Sequence, residues 1–94
     1  MIKSINLIVI KTPDIKKTKA FYELLGLSFE QEKHGSGPIH FSCAIQQCIF
    51  EIYPTNKTGC HTTRLGFSAS SIDSLTEKIN KAGYQIVKKP KKTE

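Results

Sequence analysis

Two glycines in matching settings constrain this chain more than any other feature. Gly26 follows Ile15, Thr18, Phe21, Tyr22 and Leu25, and Gly83 follows Ile72, Leu75, Ile79 and Ala82. Each set falls at helical spacing, which predicts two amphipathic helices. A glycine just beyond such a stripe ends the helix by adopting the left-handed conformation at little cost. The two glycines stand 57 positions apart (83 − 26), and a strand-like run precedes each helix, over residues 3–11 and 62–69. The chain is therefore expected to repeat one motif, strand then helix, about a linker.

Local chemistry fills in the rest. Thr12 is the expected cap of the first helix, with Pro13 at its first position and Asp14 at its positive end. Ser70 or Ser71 caps the second, with Asp73 three residues after Ser70 in a capping-box-like pair. Between the helices lie three strand-like stretches, residues 27–33, 39–46 and 48–53. The first two are parted by His34-Gly35-Ser36-Gly37-Pro38, a loop by composition, and the last two by a tight hairpin near Gln46-Gln47. A final short strand is expected over 84–88. The fold class is α+β: a βαβββ module over 1–54, a polar linker over 55–61, and a shortened βαβ module over 62–94, together one domain of 94 residues.

Composition narrows the class of function. With 38% hydrophobic and 23% charged residues, the chain is neither a disordered tail nor a coiled coil. Its longest apolar run, Leu7-Ile8-Val9-Ile10, is far below the roughly 20 residues of a membrane span. No secretory leader is expected at the start, and the expected location is the cytoplasm. The formal net charge is +6, but the four lysines after residue 87 lack interleaved aromatics. They offer only weak phosphate attraction, so no nucleic-acid partner is expected. Cys43, Cys48 and Cys60 have no C-x-x-C spacing and are expected as free thiols. A zinc site built from them with His40 and His61 lacks the usual ligand spacing. Neither a Ser-His-Asp order nor a phosphate-cradling glycine loop is present.

The residues Ile5-Asn6-Leu7-Ile8-Val9-Ile10-Lys11-Thr12-Pro13-Asp14, followed by Ala20-Phe21-Tyr22-Glu23-Leu24-Leu25-Gly26-Leu27, resemble the opening of the vicinal oxygen chelate superfamily. That group includes glyoxalase I, bleomycin-resistance proteins and extradiol dioxygenases. Phe50-Glu51-Ile52-Tyr53 resembles its fourth strand, and Leu65-Gly66-Phe67-Ser68-Ala69 the start of its second module. The resemblance implies paired βαβββ modules whose curled sheets enclose a cleft, with the second module here short by about two strands. It also implies four metal-ligand positions. Leu7 occupies the first, Glu51 the second and Arg64 the third, and the chain ends before the fourth. Leu7 has no lone pair to give, and Arg64 brings a permanent positive charge. No metal and no cofactor are therefore expected, and catalysis is not the leading reading.

With Glu51 pointing into the cleft, strand alternation brings Ile49 and Tyr53 there too, with Leu7 and Val9 from the first strand. His40 and Ser42 face it from the third strand, and Arg64 and Ser68 from the fifth. The expected function is metal-independent binding of a mostly apolar or aromatic small molecule, as in bleomycin-resistance proteins. The positive net charge speaks against a polycationic drug. A divergent glyoxalase-type metal enzyme and a non-catalytic protein-interaction module are the alternatives. Exposed strand edges predict a homodimer, with strands or whole modules exchanged between subunits.

Overall fold

The computed structural model describes residues 1–57 and 64–87. The chain divides into two compact units, Met1–Cys60 and His61–Glu94. The first unit runs β1 (Leu7–Thr12), α1 (Ile15–Leu24), β2 (Glu30–Glu32), β3 (His40–Ile45) and β4 (Cys48–Pro54), and the second contains α2 (Ile72–Lys81). The architecture is a small α+β fold with one mixed, open four-stranded sheet in the order β1-β4-β3-β2. No helix among the described residues is long and apolar enough to cross a membrane.

β1 lies parallel to β4, whereas β3 is antiparallel to both β4 and β2. The parallel pair requires a crossover, which α1 supplies. In β4, Phe50 and Ile52 are buried, whereas Ile49, Glu51 and Tyr53 are not. Phe41 and Cys43 of β3 complete the buried face. The Tyr22 ring of α1 meets Phe50 edge-on at 5.0 Å, and Phe29 closes on the same ring at 6.1 Å. The core is thus one row of apolar side chains between α1 and the centre of the sheet. Lys19 Nζ sits 5.1 Å above the Phe41 ring, covering the core's edge.

The two helices are built alike. Asp14 caps α1 by accepting from the Lys17 amide, and Ser71 caps α2 by accepting from the Ser74 amide. At the other end, the Gly26 amide donates to the Glu23 carbonyl and the Leu27 amide to the Tyr22 carbonyl. In α2 the Gly83 amide donates to Asn80 and the Tyr84 amide to Ile79. Each pair is a Schellman closure, and each needs a left-handed residue, met by Gly26 at φ 99° and Gly83 at φ 91°. Caps and closures share the 57-residue offset of the glycines.

Several boundaries differ from the sequence expectation. The cap of α1 is Asp14, not Thr12. The Thr12 hydroxyl instead accepts from the Asp14 amide and bonds the Thr18 hydroxyl at 2.9 Å. In α2 the reciprocal pair is Ser71 with Ser74, not Ser70 with Asp73. β1 starts at Leu7 rather than residue 3, and Met1, Ile2 and Ile5 before it are exposed. β2 has three residues, because Leu27 is held in the closure of α1 and Phe29 turns toward Phe50. The expected strands of the second module do not appear at residues 64–69 or 84–87. A strand exists only through ladder bonds to a neighbour, and these residues make none. Thr62, Lys88, Cys60, His61 and the lysine-rich tail lie outside the described residues.

Candidate functional site

The face of the sheet opposite α1 is open, and its side chains line up in rows across the strands. Leu7 is in register with Ile49, and Ile49 with Ala44. The next row runs Val9, Glu51, Ser42 and Glu30. The third holds Lys11 beside Tyr53, and His40 beside Glu32. Leu7, Val9 and Ile49 are 51%, 43% and 39% exposed, so one end of this face is an uncovered apolar patch.

The other end is polar and packed. His40 is only 1% exposed even though it lies on the open face. Its ring stacks on Tyr53, with centroids 4.1 Å apart and planes 10° from parallel, and His34 tilts against it at 5.1 Å. His40 Nδ1 lies 3.2 Å from the Pro38 carbonyl oxygen. Since a carbonyl oxygen only accepts, Nδ1 carries the hydrogen, and Nε2 is turned toward the centre of the cluster. Around Nε2 stand Glu32 Oε1 at 3.3 Å, the Tyr53 hydroxyl at 3.3 Å and Glu51 Oε2 at 3.7 Å. Burial, together with the negative charges of Glu51 and Glu32, holds the Tyr53 phenol above its ordinary value of 10.0.

Seven of the expected site residues therefore share this face: Leu7, Val9, His40, Ser42, Ile49, Glu51 and Tyr53. Arg64 and Ser68 belong to the second unit, where both are exposed. The sequence reading missed Glu32 and His34. Glu32 closes β2, and His34 follows two residues later, in a segment recognisable only as a loop. His34 Nε2 lies 3.9 Å from Glu32 Oε1. The spacing Glu32-x-His34 ahead of His40 is the one signal that would have pointed to them. The buried face also carries a free thiol at Cys43, and Cys48 is half-buried.

No protein-family model matches the sequence, and no curated protein matches it. Solved structures do. A hypothetical protein from S. aureus superimposes with a TM-score of 0.71 at 18% identity, over 100% of this chain and 81% of that one. A virulence protein from Salmonella typhimurium gives 0.71 at 22% identity, over 96% and 76%. An integron cassette protein from V. cholerae gives 0.66 at 17% identity, over 99% and 77%. At these identities the likeness is one of fold.

Proposed function

We propose that this chain is a small-molecule-binding protein of the vicinal oxygen chelate type, holding a mostly apolar or aromatic ligand on the open sheet face without a metal. The uncovered patch of Leu7, Val9 and Ile49 beside Glu51 carries the reading. Pockets for small molecules are mainly apolar with a few convergent polar groups, and this face has that composition. The strand-helix-strand-strand-strand order and the matched ends of α1 and α2 support descent from paired modules of that superfamily. Metal-assisted chemistry at the superfamily's own position is not part of the proposal, because Leu7 cannot donate there. The protein is proposed to work in the cytoplasm, as a homodimer whose second copy closes the ligand face.

The test is thermal unfolding against a panel of apolar and aromatic compounds, with a chelator present throughout. A ligand at a hundredfold excess over its Kd adds about 2.7 kcal/mol, a rise in Tm of roughly 10–20 °C for a domain of this size. Val9→Ser and Ile49→Ser should remove that rise, each read against the variant's own unliganded Tm. A panel that shifts nothing, or shifts both variants as much as the parent, overturns the reading.

A further inference from the structure

We infer that Glu32, His34 and His40 form a binding site for a divalent transition metal ion, zinc being the best match. Its three donors include none of Leu7, Glu51 and Arg64, so it is not the superfamily's own metal position, although Glu51 borders both this cluster and the apolar patch. Two imidazoles and one carboxylate are a recurrent zinc donor set, leaving a fourth position for water or another side chain. Zinc bonds of about 2.0–2.2 Å in a tetrahedron place neighbouring donor atoms roughly 3.4 Å apart. Here Glu32 Oε1 is 3.3 Å from His40 Nε2 and 3.9 Å from His34 Nε2, and all three donor atoms lie within 4.8 Å of one another. Closing on an ion requires only that the His34 ring, 73% exposed, move by about an ångström.

The surroundings of His40 suit a metal ligand. His40 is buried and its Nδ1–H is committed to the Pro38 carbonyl, which fixes the ring with Nε2 inward. Metal-ligating histidines are oriented by just such a second hydrogen bond. With Nδ1 protonated, the Nε2 lone pair faces the oxygens of two carboxylates, Glu32 and Glu51. Oxygen and nitrogen lone pairs repel at that distance unless a cation lies among them. The Tyr53 hydroxyl can supply one hydrogen to Nε2, but it does nothing for the two carboxylates. A proton on Nε2 would relieve the same repulsion by pairing His40 with Glu32 and Glu51. It would not account for His34, whose carbonyl is held by the Gly37 amide at 2.9 Å in a turn that presents its ring to Glu32 and His40. Soft-to-borderline ions suit this mixture of imidazole and carboxylate, whereas magnesium and calcium prefer oxygen alone.

The experiment uses the full chain without an affinity tag, stripped with chelator, dialysed, and titrated with Zn²⁺ by calorimetry and with Co²⁺ by visible absorption. One ion per chain is expected, with a tetrahedral cobalt spectrum lacking a thiolate charge-transfer band. Loss of an outer-shell partner alone costs about 10–100-fold in affinity, so His34→Ala and Glu32→Gln should each weaken binding at least about 100-fold. His34 is exposed, so its variant should keep the parent circular dichroism and Tm. Failure of the parent to take up either ion overturns the proposal. So does uptake that survives both substitutions, or a cobalt spectrum dominated by thiolate, which would move the ion to the cysteines.

Discussion

Phe50 and Ile49 are adjacent in β4, yet they make opposite predictions. Phe50 meets Tyr22 and Phe29 on the buried face, and its truncation leaves a hole that α1 and the sheet cannot refill. Phe50→Ala should cost about 3–5 kcal/mol, a large share of what so small a domain possesses. Ile49→Ala, on the open face, should cost well under half of that. Urea denaturation of both variants measures the contrast, and equal midpoints would mean that the buried and open faces have been assigned wrongly. Tyr53 supplies a prediction about pH. Its phenol is raised by burial and by the charges of Glu51 and Glu32, and burial also raises Tyr22. Below the ordinary phenol value of 10.0, folded and unfolded chains both keep these protons, and the stability they secure is whole. As pH climbs past that value, the unfolded chain ionises first, and stability is lost until the folded phenols ionise as well. Tyr53→Phe should therefore lose less stability than the parent at high pH while retaining the part due to Tyr22. Identical alkaline slopes for the two proteins would count against the environment described for Tyr53.

At the level of elements, what was legible in the sequence was local, and what was not was tertiary. The ends of α1 and α2 could be read because Gly26 and Gly83 act on their own few residues. The alternation of Phe50 and Ile52 with Ile49, Glu51 and Tyr53 likewise announced β4 and its faces. The extent of β2 was hidden, since Leu27 is taken by a helix closure and Phe29 by the core. The capping choice was also hidden, since Thr12, Asp14, Ser70 and Ser71 all can cap and backbone geometry selects among them. Asp14 and Ser71 now play equivalent parts, so Asp14→Ala and Ser71→Ala should each cost about 1 kcal/mol. The β3–β4 hairpin makes the opposite offer. Gln46 sits at φ 53°, where an L side chain is strained by roughly 1 kcal/mol or more. Gln46→Gly should raise Tm by about 4–8 °C. A fall in Tm would mean that the Gln46 side chain makes a contact worth more than the strain. The convergence of Glu32 and His34 on His40 was beyond any local reading, because it depends on how β2 registers against β3.

For the whole molecule, what covers the sheet decides how it assembles. In the order β1-β4-β3-β2, the outer strands are β1 and β2, and they differ in exposure to partners. β2 is three residues of Glu-Gln-Glu, short and charged, the usual way of discouraging edge pairing. β1 has six residues, with Leu7 and Val9 exposed on its open face and Lys11 as its one charge. A strand of this kind, with no partner on its outer side among the described residues, invites another chain, and the apolar patch beside it would be covered in the same step. Two copies meeting along β1 would satisfy the edge and bury Leu7, Val9 and Ile49 together. Sedimentation across a range of micromolar concentrations should then report a dimer, with a Tm that rises with concentration. Leu7→Lys places a charge in the middle of that contact, so it should shift the equilibrium to monomer and lower Tm at a fixed concentration. Because Leu7 is half exposed in the single chain, the same substitution should leave a purely monomeric protein almost unaffected. A parent that sediments as a monomer at every concentration, with a Tm indifferent to Leu7→Lys, would leave the open face to the small molecule alone.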